Sequence, residues 1–195
     1  MPGGEIQTDD IVRDALAAGK QVFVPYLHSS STTANDGGPS RVMDMVQLRD
    51  IQDYEALTPD RWGIPSVDPD TVQHRRRILD DRSETISGDK VTTTLDLLLM
   101  PGVAFDFGDG AVRRIGHGKG FYDFFIHRYL LRAAEAESGA NLLLYGLALQ
   151  EQFLDGTTGE QIPVGPMDQG LHGLVLGDGT VLTQDTDVPG RDNCD

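Results

Sequence analysis

The sequence predicts an α/β protein: three layers, αβα, around a mostly parallel sheet. Three observations carry that prediction. Leu95 to Met100 (LDLLLM) and Asn141 to Leu149 (NLLLYGLAL) are short, nearly continuous apolar runs, the pattern of strands buried on both faces. Between them Phe121, Phe124, Phe125, Ile126, Tyr129 and Leu130 recur at helical spacing. Glycine turns stand at the strand ends, and strands alternating with helices imply parallel units. The 195 residues suit a single domain with a real core over 1–177, followed by an acidic tail over 178–195.

Taken in order, Thr8 is placed to cap a helix over Asp9 to Ala18. Acidic residues open it, Ile11, Ala15 and Leu16 make the apolar stripe, and Gly19 closes it. Lys20 to Pro25 reads as a strand. Ser29 to Ser40, without periodicity and rich in Ser, Thr and Gly, is a surface loop, and Met43 to Leu48 resumes as a strand. Asp53 to Asp70 is turn-rich around the only tryptophan, Trp62. Asp70 to Thr93 reads as a partly helical or disordered insertion, in which Arg75, Arg76 and Arg77 form a solvated face. Pro101-Gly102 ends the strand before it, and Asp123 falls in the first turn of the next helix, where the dipole favours an anion; Gly139 is that helix's stop. Gly173 to Leu176 is the last strand, and the acidic stretch after it reads as disordered.

Chemistry concentrates between strand and helix, in Arg113, Arg114, Gly116, His117, Gly118, Lys119 and Gly120. Alternating glycines let backbone N–H groups turn toward one point, the helix N-terminus adds partial positive charge, and Arg114 and Lys119 supply full charges. These are the parts of a phosphate cradle, and the same run also reads as a flexible turn with solvated basic residues. It is not a Walker A loop: no glycine stands five residues before Gly118-Lys119, and Phe121 rather than Ser or Thr follows Gly120. Nor is it G-x-G-x-x-G, because the third glycine comes one residue early.

The formal charge of −15 argues against a nucleic-acid surface, since the summed field repels phosphates. A phosphate ligand therefore needs a local positive pocket. Lys20, Lys90 and Lys119 are the only lysines, so one of three stands inside the glycine loop. Cys194 is the only cysteine and cannot form an internal disulfide, which suits a reducing compartment. No apolar run approaches membrane-spanning length, and the start at Met1 shows no targeting pattern. No covalent-catalysis constellation competes: Cys194 is remote, no serine sits in a nucleophile elbow, and the histidines lack zinc spacing.

Pro101 to Asp106 (PGVAFD) together with Arg114 to Asp123 (RIGHGKGFYD) resembles the signature of the 5-formyltetrahydrofolate cyclo-ligase family. Further similar segments follow in the family's order: Pro2 to Thr8, Val22 to Pro25, Met43 to Met45, Trp62 to Pro65, and Ala148 to Val164 ending in Gln161-Ile162-Pro163-Val164. The resemblance covers Met1 to about Leu176. It implies the three-layer fold shared with sugar-phosphate isomerase-like proteins (the NagB/RpiA/CoA-transferase-like fold). It implies a cytoplasmic or mitochondrial monomer that acts on 5-formyltetrahydrofolate, polyglutamylated or not, with ATP and Mg²⁺, and that binds neither nucleic acid nor membrane.

By the same resemblance, Arg114 and Lys119 are the catalytic cations, and the run from Arg114 through Ile115, Gly116, His117, Gly118, Lys119, Gly120 and Phe121 to Tyr122 binds ATP, His117 also reading as a solvated loop residue. Glu5, Met43, Met45, Trp62 and Tyr122 would contact the folate, and Asp123 and Asp168 would hold Mg²⁺. Each folate residue has a plainer reading as well: Glu5 as a solvated carboxylate, the methionines as core, Trp62 and Tyr122 as packing residues. Family members carry a basic helix and a first strand ahead of the equivalent of Pro2, and often an acid near His172. Losing that strand and helix would expose an edge and apolar surface. Two alternatives therefore stand beside the enzyme: a truncated homologue that binds folate or nucleotide with little turnover, and an unrelated phosphate-binding regulatory domain.

Overall fold

Asp9 and Asp10 open α1 (Asp9–Ala17), where the helix dipole favours acidic side chains. Thr8 serves as N-cap through its carbonyl, which accepts from the Val12 N–H at 3.0 Å, while its side chain makes no capping bond. Gly19 closes the helix at φ +70°, a left-handed conformation that suits glycine. Ile11 was expected on the buried stripe and is exposed instead. Val12 packs in its place against Val46, Leu48, Val67 and Val72, so the buried face is centred one residue later.

The computed structural model describes residues 6–29, 39–60, 63–79, 85–86, 89–90, 93–108, 110–136 and 141–183. The backbone divides into two compact units, one taking in Gln7–Thr94 and Phe124–Gly139, the other Leu95–Asp123 and Ala140–Asp195. The content is mixed α/β. Among the described residues no helix is long and apolar enough to cross a membrane.

In the first unit β1 (Val22–Ser29) runs four residues beyond the expected strand and pairs antiparallel with β2 (Arg41–Leu48), from Val22↔Leu48 to Ser29↔Arg41. After β2 come α2 (Ile51–Glu55), capped by the Asp50 carboxylate, then β3 (Thr58–Pro59) paired with β4 (Pro65–Ser66), and α3 (Pro69–Val72), capped by Asp68. A short pair, β5 (Thr85–Ile86) and β6 (Asp89–Lys90), follows.

The arginine run corrects the expectation of a solvated face. Only Arg76 is exposed. Arg75 makes a two-pronged pair with Asp53, its Nη2 2.7 Å from Oδ1, and donates to the Gln47 carbonyl at 3.1 Å. Arg77 donates from Nε to Asp44 Oδ2 at 2.8 Å, and Asp44 is wholly buried in β2. The reason is electrostatic: a carboxylate inside a strand needs a cation and N–H donors, and Arg77 with the Met45 and Leu79 amides supplies them.

The second unit is built on a sheet of order β13-β12-β10-β7. Strand β7 (Leu97–Pro101) and β12 (Gly173–Leu176) both lie parallel to β10 (Leu143–Ala148), and β13 (Val181–Thr183) adds antiparallel to β12. Gly173–Leu176 is thus not the last strand. The Leu-rich runs are expected to be buried on both faces, but only one face is buried throughout, by Leu98, Met100, Leu144, Gly146, Ala148, Leu174 and Leu176; on the other, Leu147 is buried, Leu99 and Tyr145 are half-buried, and Leu97 and its neighbour Leu143 are exposed. Alternation of side chains across a strand puts successive leucines on opposite faces whatever covers them.

A hairpin separates β7 from the helix. Strands β8 (Ala104–Gly108) and β9 (Ala111–Ile115) pair antiparallel from Ala104↔Ile115 to Gly108↔Ala111. The helix α4 (Phe121–Glu135) begins after five intervening residues and buries Phe125, Ile126 and Tyr129. Strand β11 (Phe153–Leu154) pairs parallel with β8, and Val112 bridges Leu171.

Candidate functional site

The glycine loop leaves β9 at Ile115 and enters α4 at Phe121, so the basic residues stand between a hairpin strand and a helix N-terminus. Gly118 at φ +74° and Gly120 at φ +63° flank Lys119, and both conformations are ones that L side chains rarely adopt. A Cβ at either would meet nothing within 4 Å, so the glycines are needed for backbone conformation rather than for room. Gly116 is different: its Cβ would lie 2.8 Å from Arg114 Nη1. Gly116, His117, Gly118, Lys119 and Gly120 form a largely exposed loop, and Lys119 makes no ion pair among the described residues.

Arg114 is not free in the same way. Its Nη2 lies 2.9 Å from Asp123 Oδ2 with the two side chains 9% and 15% exposed, its Nη1 donates to the Pro101 carbonyl at 3.3 Å, and its guanidinium sits over the Tyr122 ring, 5.5 Å from the centroid. Asp123 is engaged on both oxygens, because Oδ1 accepts from the Gln169 N–H at 3.2 Å. Its first-turn position therefore also anchors the segment after β11.

A second carboxylate does the same on the neighbouring arginine. Buried Asp106 binds Arg113 through two hydrogen bonds, Nε to Oδ1 at 2.7 Å and Nη2 to Oδ2 at 2.5 Å, and accepts from the Ile162 N–H at 2.8 Å. Each of the adjacent arginines of β9 is thus held by one aspartate, and each aspartate also holds a backbone N–H of the 162–169 segment. The Val112–Leu171 bridge fixes the same segment's end, with N–H to carbonyl distances of 3.0 and 2.8 Å. Gly108 leaves room for the Arg113 side chain, whose Cζ would lie 2.2 Å from a Cβ there.

Asp168 sits in the exposed turn that precedes Gln169, and its Oδ2 accepts from the Gly165 N–H at 2.7 Å. Among the described residues no group of three His, Cys, Asp or Glu is arranged to hold a metal. The donors Asp123 and Asp168 nevertheless suit Mg²⁺, which commonly takes one or two carboxylates and completes its shell with phosphate oxygens and water.

The structure brings Arg114, Tyr122, Asp123 and the 165–169 turn together in the second unit. Met43 and Met45 belong to the first unit, where both are 2% exposed in the interior of β2. Glu5 and Trp62 lie outside the described residues. Ile115 is exposed and its carbonyl accepts from the Val103 N–H at 2.7 Å, while Phe121 is half-buried. Sequence reasoning missed Asp106, the pairing of Arg113 with it, and Gln169. For the first two a signal was present: Asp109-Gly110 is a hairpin-turn dipeptide, and folding the chain there sets Asp106 opposite Arg113.

A model of the 5-formyltetrahydrofolate cyclo-ligase family matches residues 1–176 of this chain. A Schizosaccharomyces pombe protein named "Probable 5-formyltetrahydrofolate cyclo-ligase" is 34% identical over 175 residues, 90% of this chain and 70% of that protein. A Caenorhabditis elegans protein of the same name is 33% identical over 180 residues, 92% of this chain and 70% of its own length. The 5-formyltetrahydrofolate cyclo-ligase of Saccharomyces cerevisiae is 28% identical over 187 residues, 93% of this chain and 74% of that protein.

Proposed function

The chain belongs to the 5-formyltetrahydrofolate cyclo-ligase family, and from that premise we propose that it is an enzyme closing 5-formyltetrahydrofolate to 5,10-methenyltetrahydrofolate while ATP becomes ADP and phosphate. The observation that carries the reading is the loop itself. Lys119 is held exposed between two left-handed glycines, two residues ahead of a helix, in the same loop region as an arginine that already carries an anionic partner. Such a site neutralises phosphate charge and offers no nucleophile.

The chemistry needs little else. A formyl oxygen is a poor leaving group. Its attack on the γ-phosphorus expels ADP and leaves an iminium phosphate; N10 then attacks the activated carbon, loses its proton, and phosphate departs with the former formyl oxygen. Positioning and charge neutralisation supply most of the catalysis in such a transfer. Lys119 and Arg114 neutralise the transferred group, and the N–H groups of Gly116, Gly118 and Gly120 line the cradle around it, with Ile115, His117, Phe121 and Tyr122 completing the nucleotide contact. Mg²⁺ on Asp123 and Asp168 would draw charge from the phosphates. Glu5, Met43, Met45, Trp62 and Tyr122 are the folate contacts in this proposal.

The same reading gives a single domain with the three-layer, sugar-phosphate isomerase-like fold, and a monomer working in the cytoplasm or a mitochondrion. The test is direct: growth of the methenyl-folate absorbance band after mixing the protein with 5-formyltetrahydrofolate and MgATP, against controls lacking ATP or metal. Folate and nucleotide binding without any band would make it a binding homologue rather than an enzyme.

A further inference from the structure

Arg114 and Asp123 are assigned to different ligands above, a phosphoryl group and a magnesium ion, yet here they hold each other. We propose that the pair is a resting latch, with Asp123 a positioning residue that keeps Arg114 neutralised until metal and nucleotide arrive together and each takes one half. The inference rests on the functional reading of this loop.

The geometry engages both partners with each other and with the backbone. Of the Arg114 donors, Nη2 goes to Asp123 Oδ2 at 2.9 Å and Nη1 to the Pro101 carbonyl at 3.3 Å, while Tyr122 covers the guanidinium plane. Of the Asp123 oxygens, Oδ2 serves Arg114 and Oδ1 serves the Gln169 N–H. A phosphate arriving alone and taking the Nη2 edge of Arg114 displaces Asp123 and strands a carboxylate that is largely out of water. A cation arriving alone must strand the guanidinium. An unpaired charge in such a place is costly, and only the two ligands together leave neither residue unpaired. Their affinities are then coupled, and by linkage the coupling is the same read from either ligand. Lys119, exposed and without an ion pair among the described residues, is available before the exchange; Arg114 becomes available through it. The Gln169 N–H carries the exchange into the turn that bears Asp168, because that N–H gives up its acceptor when the carboxylate swings to a cation.

The latch separates from a simple metal-ligand role by what happens without metal. Isothermal titration of ATP in the presence of a chelator should show Asp123→Asn binding about 5-fold or more tighter than wild type, close to one kcal/mol. The gain should persist between about 0.05 M and about 0.5 M salt, over which the screening length falls to roughly 4 Å, because the pair is largely dry. Adding Mg²⁺ should strengthen wild-type binding and do little for the variant. A poorly folded variant binds more weakly, so a gain cannot arise from damage; Asp123→Ser provides a second variant with the same expectation. Wild type that binds MgATP beside variants showing no metal-free gain, or a gain that vanishes at high salt, overturns the latch and leaves the functional reading standing. Wild type that does not bind MgATP at all overturns that reading, and the latch with it.

Discussion

Arg113 and Asp106 face each other across the β8–β9 hairpin as a two-pronged ion pair, with side chains 11% and 4% exposed. The same carboxylate receives the Ile162 N–H, so one buried group joins the hairpin to the strand-free segment that reaches the glycine loop's neighbour Asp123.

Asp106→Ala should therefore be among the most damaging single changes in the second unit. It removes the carboxylate that pairs with the largely buried Arg113 guanidinium and the acceptor for Ile162, a loss of about 3–5 kcal/mol for breaking one half of a buried pair. Urea denaturation measures it. The double variant Asp106→Leu with Arg113→Met should recover much of that loss, since no charge is then stranded; a double variant as unstable as the single one would put the cost elsewhere.

The arginine run makes a paired prediction. Arg77→Ala strands buried Asp44 and should cost about 3–5 kcal/mol, whereas Arg76→Ala, at an exposed residue with one weak contact to Gln21 at 3.4 Å, should stay within about 0.5 kcal/mol of wild type. Equal effects from the two would restore the solvated-face reading.

These contrasts show where the sequence was legible. The glycine loop and the helix after it could be read from punctuation and period alone, because Gly118, Gly120 and the apolar spacing of 121–130 are local signals. Asp44 could not be separated from a surface acid, because its cation Arg77 is distant in sequence; for Asp106 the hairpin signal pointed to Arg113, but the bond to Ile162 is likewise long-range and was not legible. Alternation in β2 was also hidden, since Val42 to Val46 is buried on both sides and carries a charge at its centre. Within the site, the residue types that would meet phosphate were visible. That Arg114 and Asp123 meet each other depends on the course of the loop between β9 and α4, which turns the first turn of the helix back onto the strand end.

Tyr54 gives a pH prediction with a defined window. Burial first, and then its hydrogen bond to Asp9 Oδ1 at 2.8 Å, push the phenol's pKa up to about 12 from an ordinary 10.0. The folded protein keeps this proton through a range in which the unfolded chain has lost it. The contribution is thus complete below pH 10 and fades as pH rises toward 12, so stability falls with pH across that interval. Urea midpoints for wild type and Tyr54→Phe should differ in slope there and run parallel below it. Parallel curves throughout would show that the hydroxyl is solvated.

Lys119 offers the sharpest test of the loop. Its ammonium is exposed, and its flanking glycines at 118 and 120 hold their conformations through backbone torsion rather than through any contact with the lysine chain. Lys119→Ala should consequently leave the melting temperature within about a degree or two of wild type, as for a surface change. Turnover should nevertheless fall on the order of 10²-fold or more, the usual consequence of removing one charge partner from a developing anion. Lys119→Arg keeps the charge but spreads it over a planar fork, and should recover only part of the rate because the point charge no longer sits between the two glycines. Unchanged turnover in the alanine variant, with 5-formyltetrahydrofolate and MgATP saturating, would remove the loop from the chemistry and leave the glycines as a structural turn.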